Sequence, residues 1–132
     1  LSVDQQKNIL HILITHIKTW SSHQNQVKAS ATILDDYFII VAVDETFSKI
    51  SGCSIDSLQN IIQLIEKENN ISLYNRLNIY CKVDNEIKFS NINDIKNSFN
   101  LHDYFYDTLI TSKNELKSFL KPIKDSWCAK FF

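Results

Sequence analysis

A single glycine, Gly52, in a chain of 132 residues is the feature that most constrains this sequence. Glycine reaches positive φ without steric cost, so tight turns and phosphate-binding loops are normally rich in it. A P-loop needs two glycines followed by Lys and Ser or Thr, and a dinucleotide-binding fingerprint needs three. The chain therefore cannot be a P-loop ATPase or a dinucleotide-binding domain of that type, and its turns must be built from other residues.

The length predicts one globular domain over residues 1–132, large enough to bury a core without disulfides or a structural metal. Hydrophobic residues make up 44% and charged residues 22%, which is typical of a folded chain. No apolar run approaches the roughly 18 residues of a membrane span. We therefore expect a soluble, cytoplasmic protein with no membrane partner. The chain contains no methionine, so we expect N-terminal residues before Leu1.

The charge pattern argues against a nucleic-acid partner. The net charge is −1, and Arg76 is the only arginine. Duplex recognition usually relies on several arginines and a basic surface. The three cysteines, Cys53, Cys81 and Cys128, have spacings that match no zinc pattern, and we expect reduced thiols. The four histidines are scattered, and the spacing of His11 and His16 predicts different faces of a helix. We expect no metal and no cofactor.

Hydrophobic periodicity predicts an α+β fold. Ser2 and Gln5 form a capping-box pattern, and the nearly all-apolar run 37–43 predicts a central strand covered on both faces. Hairpins predominate, so we expect a mainly antiparallel four- to five-stranded sheet with helices packed on it, in the order α-β-β-α-β-β-(α)-β-α. In the first half we predict a helix over 3–22, strands over 27–34 and 36–43 around Asp35-Asp36, and a helix from a cap at Ser54 to Asn69. In the second half we predict strands over 77–83 and 86–90 around Asp84-Asn85 and a short helix from Asn93 or Asp94 to Phe99. A strand over 103–111 and a helix from Ser112 to Lys121, stopped by Pro122, follow.

One segment has the composition of a ligand site, because it runs from the end of a buried strand through a loop into the start of a helix. Crevices beside strand ends bind ligands in many α/β sheets, and helix starts favour anions. A thiol just before a helix cap can have a lowered pKa. Ordinary capping chemistry and a buried, inert cysteine explain the same residues. The candidate ligand-binding residues are Asp44, Glu45, Ser51, Gly52, Cys53, Ser54 and Asp56.

Aromatic side chains in the C-terminal third offer a second candidate surface. They could form a stacking or partner surface, but such residues more often belong to a hydrophobic core. We expect the tail over 125–132 to be docked on the domain. The aromatic residues concerned are Tyr104, Phe105, Tyr106, Trp127, Phe131 and Phe132.

Two strings, 38–45 and 51–57, resemble a family of short uncharacterised Bacteroidetes proteins that often carry the label "ABC transporter ATPase". Trp20, Arg76 and the terminal Asp125-Ser126-Trp127 also fit that family. The family tends to have histidine where this chain has Cys128. The resemblance implies a bacterial, cytoplasmic protein and a candidate patch around Cys53. It does not imply an ATPase, since the chain cannot form a P-loop.

Two hypotheses about function follow from the sequence. The first is a non-enzymatic binding or adaptor domain with a protein partner or a second copy of itself, since no catalytic set is recognisable. The alternative is a small-molecule or anion-binding protein, or an enzyme, with its site at the loop over 51–56 and dependent on Cys53.

Overall fold

The computed structural model describes residues 1–21, 28–44, 52–75 and 77–132. The chain divides into two compact units, residues 1–73 and 74–132, each combining helices with antiparallel strands. This confirms the predicted α+β class. The predicted sheet of four to five strands corresponds to a four-stranded sheet in the second unit, and the first two predicted strands form a separate sheet. The prediction of one domain over 1–132 stays a prediction.

The first unit consists of two helices and one hairpin: α1 over Val3–Ser21, β1 over Lys28–Leu34, β2 over Phe38–Asp44 and α2 over Gly52–Asn69. The predicted capping box is present. The backbone N–H of Gln5 donates to Ser2 Oγ at 3.1 Å, and the Ser2 N–H donates to Gln5 Oε1 at 2.9 Å. The helices run antiparallel, because Gln5 at the start of α1 donates to the carbonyl of Asn69 at the end of α2.

The turn between β1 and β2 uses aspartate at positions where glycine is usual. Asp35 and Asp36 both adopt positive φ, 53° and 60°, in a turn that the Tyr37 N–H closes by donating to the Leu34 carbonyl at 3.0 Å. Positive φ at both central residues is the mark of a type I′ hairpin turn, and aspartate tolerates that region better than most residues. The N-terminal amine of Leu1 donates to the Asp36 carbonyl at 2.9 Å.

The core of the first unit lies between the helices and one face of the hairpin. Its fully buried members come from α1 and α2, and Ile33, Ile39 and Val41 pack against them from the hairpin. In the part of the chain that the structure describes, β2 pairs only with β1, and its Ala42 is exposed. The prediction that this strand is central and covered on both faces was wrong, because an apolar run does not reveal how many of its faces are covered. The buried helical residues are Ile9, Leu13, Ile62 and Ile65.

The second unit is built on a sheet with strand order β4-β3-β5-β6. The hairpin of β3 (Asn78–Val83) and β4 (Glu86–Asn91) around Asp84-Asn85 is confirmed, as is the short helical segment, a 3-10 turn over Ile92–Asp94 followed by α3 over Ile95–Ser98. β5 covers only Tyr104–Tyr106. The predicted helix over 112–121 was wrong beyond its first turn: α4 covers Lys113–Leu116, and Leu120–Pro122 form β6.

The main core cluster of the second unit lies on one side of this sheet, while Tyr106, on the other side, is buried against Phe119. Cys81 and Phe105, which face each other on β3 and β5, are buried with Ile123 and Cys128. The predicted docking of the tail is confirmed. Trp127 begins a 3-10 helix over Trp127–Phe131, and its ring packs edge-on against Phe105 with ring centroids 6.1 Å apart. No helix in the described parts of either unit is long and apolar enough to cross a membrane.

Candidate functional site

The predicted loop site is described at two of its seven residues. Asp44 ends β2 with an exposed side chain, and Asp56 is exposed on α2. Because α2 begins at Gly52, Asp56 lies beyond the first helical turn, which contains no acidic residue. Ser54 lies inside the helix, where the sequence predicted its cap. Glu45 and Ser51 lie outside the described residues, as do the side chains of Gly52, Cys53 and Ser54. The Cys53-dependent site stays a prediction.

A groove of about 360 Å³ lies between α1 and α2, and His11 and His16 are among the residues that line it. The spacing of these histidines predicted different faces of the helix, yet both line this groove. The other lining residues are Ile12, Thr15 and Thr19 on α1 and Ile61 on α2. The groove is mainly apolar. The Thr19 hydroxyl donates a hydrogen bond to the His16 carbonyl at 2.6 Å, within the helix itself.

Within the described part of the chain, one serine–histidine contact is present, between His16 and Ser57. His16 Nε2 lies 3.4 Å from Ser57 Oγ, which is long for a hydrogen bond to a hydroxyl. Burial lowers the pKa of His16, so the imidazole is mainly neutral near pH 7. This contact joins α1 to α2. A contact of this length with mainly apolar neighbours is typical of packing between helices.

Asp107 is the most buried carboxylate among the described residues, with 7% exposure, and its oxygens are fully engaged. Oδ2 accepts from Lys121 Nζ at 2.9 Å, and Oδ1 accepts from Trp127 Nε1 at 3.2 Å and from the Leu109 N–H at 3.1 Å. Burial alone would raise the pKa of this carboxyl. The hydrogen bonds from Lys121, Leu109 and Trp127 outweigh it and hold the pKa below its ordinary value. The arrangement ties β6 and the tail to the end of β5.

Two of the three cysteines are buried and unreactive. Burial, with the charge of Asp103 and the nearby Cys128 thiol, raises the pKa of Cys81 to about 12. Burial also raises the pKa of Cys128 to about 11. Neither thiol is part of a disulfide. Both lie in the core of the second unit, so they act as small apolar groups there.

The four-stranded sheet exposes aromatic side chains on the side opposite its core. Phe89 is 59% exposed and Tyr104 50% exposed. Tyr80 lies directly across from Phe89, with ring centroids 5.9 Å apart. We call this side the aromatic face. It is defined by Tyr80, Lys82, Ile87, Phe89, Tyr104 and Pro122, which the strand register places on one side of the sheet. The face ends at Tyr106, which lies on the same side of β5 but is buried against Phe119.

Charge on the aromatic face is sparse and of one sign. Ile87, Lys82 and Tyr104 form a row across β4, β3 and β5, and Pro122 continues the row on β6. Lys82 is the only charged residue on this side of the strands that the structure describes. Glu86 pairs with Val83, so its side chain lies on the other side. The face is thus a broad apolar and aromatic surface with one cation.

The sequence indicated part of this face. Tyr104 was among the aromatic residues considered for a partner surface, whereas Phe105 and Tyr106 proved to be buried. Tyr80 and Phe89 were missed, because alternation along a strand does not tell which of its two sides stays open. The signal that could have found them is the register around Asp84-Asn85, which pairs the two rings across the hairpin.

The comparisons with known proteins found no match: no model of a protein family, no curated protein and no solved structure resembles the chain. The resemblance to the Bacteroidetes family therefore stays a prediction.

Proposed function

We propose that this chain is a non-enzymatic, cytoplasmic binding or adaptor protein that recognises a protein partner through the aromatic face. One observation carries the proposal. Phe89 is 59% exposed and Tyr104 is 50% exposed, and both lie on the side of the sheet opposite its main core cluster. Exposed aromatic side chains grouped on one surface are typical of interaction sites, since Tyr and Phe are enriched in interface cores.

The other candidate sites support catalysis less well. Asp107 is saturated with hydrogen bonds, and its low pKa makes it a poor proton donor or acceptor near neutral pH. Cys81 and Cys128 are buried with raised pKa values. The contact of His16 with Ser57 is long. A binding role is therefore better supported than an enzymatic one.

The proposal is tested by comparing captured proteins between variants. The double variant Phe89→Ser with Tyr104→Ser removes the two most exposed rings of the aromatic face. The matched control is Leu64→Ser with Leu109→Ser, two exposed apolar residues that lie off this face, at 43% and 60% exposure. Each tagged variant is crosslinked in a Bacteroidetes lysate, and captured proteins are quantified by mass spectrometry. We expect specific partners to be captured by wild type and control and lost from the face variant. Capture that is equal for all three proteins, or turnover of a metabolite by the purified monomer, would overturn the proposal.

A further inference from the structure

Lys82 is an ammonium group placed in the middle of an aromatic surface. Its neighbours across the strands are Ile87 and Tyr104, and the residue is partly buried between them. Among the described residues, the one ion pair joins Lys121 to Asp107, and none includes Lys82. An ammonium in such a position keeps its hydration only while the face is open. A partner that covers the face must replace that hydration, or the complex loses affinity.

We infer that the partner of the aromatic face is a protein segment in which a carboxylate side chain is flanked by apolar side chains. The carboxylate pairs with Lys82, and the apolar side chains pack on Phe89 and Tyr104. This inference rests on the proposed function and specifies the chemistry of the partner. It follows from charge complementarity, because the face supplies one cation and, on the strands described, no anion.

A second copy of the chain fits this face poorly. Two aromatic faces packed on each other would bring two Lys82 ammonium groups into one interface without a carboxylate from either face. Single-stranded nucleic acid also fits poorly. Bases stack on aromatic rings, but a nucleic-acid channel follows the backbone with several cations. This face carries one lysine, and the whole chain carries one arginine and a net charge of −1.

The test is a selection of random linear peptides, displayed and panned against the full chain. Enriched peptides are synthesised, and their affinities are measured by fluorescence anisotropy. We expect Asp or Glu next to aromatic or aliphatic residues. The variant Lys82→Glu should weaken these peptides roughly tenfold or more, since it opposes a charge at a covered site. The control Lys88→Glu makes the same charge change on β4, where the register places the side chain on the other side of the sheet. It should change affinity less than about twofold.

A charge swap makes the test specific. Peptides with the carboxylate replaced by lysine should bind Lys82→Glu more tightly than wild type. If Lys82→Glu does not fold, as judged by its thermal melt, Lys82→Gln replaces it, and a loss of the preference for acidic peptides is then expected. Peptides that need Phe89 and Tyr104 but ignore both Lys82 variants would overturn this inference and leave the proposed function standing.

Three further outcomes are decisive. Binding of single-stranded oligothymidylate that depends on Phe89 would overturn the inference in favour of nucleic acid. Dimerisation in light scattering that is lost in Phe89→Ser would overturn it in favour of a second copy. Enriched peptides whose affinities are unchanged by Phe89→Ser and Tyr104→Ser would overturn the proposed function itself, together with the inference.

Discussion

Burial favours the neutral form of the two core thiols and of the most buried carboxylate of the second unit, but hydrogen bonds reverse the outcome for the carboxylate. Cys81 and Cys128 are desolvated without strong hydrogen bonds from charged groups, so their neutral forms are favoured. Asp107 is desolvated too, but Lys121 and two N–H groups compensate for the lost water, so its charged form is favoured. The number of partners, more than the degree of burial, decides the ionisation of a buried group here.

Thiol reactivity should separate Cys53 from the other two cysteines. At pH 7 a pKa of about 12 leaves roughly one Cys81 in 10⁵ as thiolate, and a pKa of about 11 leaves roughly one Cys128 in 10⁴. We therefore expect a thiol-specific disulfide reagent to modify at most one thiol per native chain and three in denaturant. The variant Cys53→Ser should show no native modification. A native reaction that persists in Cys53→Ser would show that a core thiol is accessible.

The depressed pKa of Asp107 predicts a pH-dependent contribution to stability. A carboxyl whose folded pKa lies below the ordinary value of 3.8 stabilises the fold above that value, and this contribution is lost as the pH falls through the folded pKa. Asp107→Asn should lower the free energy of unfolding by about 2 kcal/mol at pH 7, because Lys121 loses its counter-ion. In urea titrations this difference should shrink below pH 4. The exposed Asp125→Asn is the control, and an equal effect from it would rule out this assignment.

At the scale of elements, the hairpin turns show how the chain manages with one glycine. Asp84 and Asn85 adopt positive φ, 53° and 66°, as Asp35 and Asp36 do. The second position of a type I′ turn favours glycine most strongly. The turn residues could be predicted from sequence because only Asp and Asn, of the residues available there, tolerate this region.

Asn85→Gly should therefore stabilise the β3–β4 hairpin by about 0.5 to 1 kcal/mol, because glycine relieves the cost of left-handed backbone. Asn97→Gly is a control for which we expect the opposite effect on stability. Asn97 is exposed within α3, where glycine should destabilise by about 0.5 kcal/mol. Both are measured by urea unfolding with a common slope. If both substitutions destabilise, the turn does not favour glycine, and the type I′ description is wrong.

The elements that were not predicted from the sequence share one cause: each forms by pairing with residues that are distant along the chain. Leu120–Pro122 has no strand pattern of its own and becomes β6 by pairing with β5. Pro122, which predicted the stop of a helix, is tolerated because β6 is an edge strand where a missing N–H donor does no harm. Conversely, Ser112 was predicted correctly as a cap, because its hydrogen bond to the Glu115 N–H is local.

At the scale of the whole molecule, the candidate site depends on which side of a sheet stays open. Local alternation predicts that Tyr80 and Cys81 lie on opposite sides of β3, and they do. It does not predict which side becomes the core, because both sides carry large apolar residues. Nor does it predict exposure within one side: Tyr104 and Tyr106 share a side of β5, yet Tyr104 is half-exposed and Tyr106 is buried against Phe119.

The last prediction concerns cooperativity between residues 1–73 and 74–132. We expect one cooperative unfolding transition, because a two-stranded sheet is marginal alone and a unit of roughly 60 residues buries a small core. Ile65→Ala and Ile123→Ala each remove a fully buried side chain, one from each unit, and should cost about 2 to 5 kcal/mol. Hydrogen exchange followed by mass spectrometry, under conditions where global unfolding dominates, should then accelerate in α1 and in β3 for both variants. As a control, Ile14→Ala changes an exposed residue and should leave the exchange rates of α1 and β3 nearly unchanged. If Ile65→Ala accelerates only α1 and Ile123→Ala only β3, the chain is two independent domains, and the prediction of a single one is wrong.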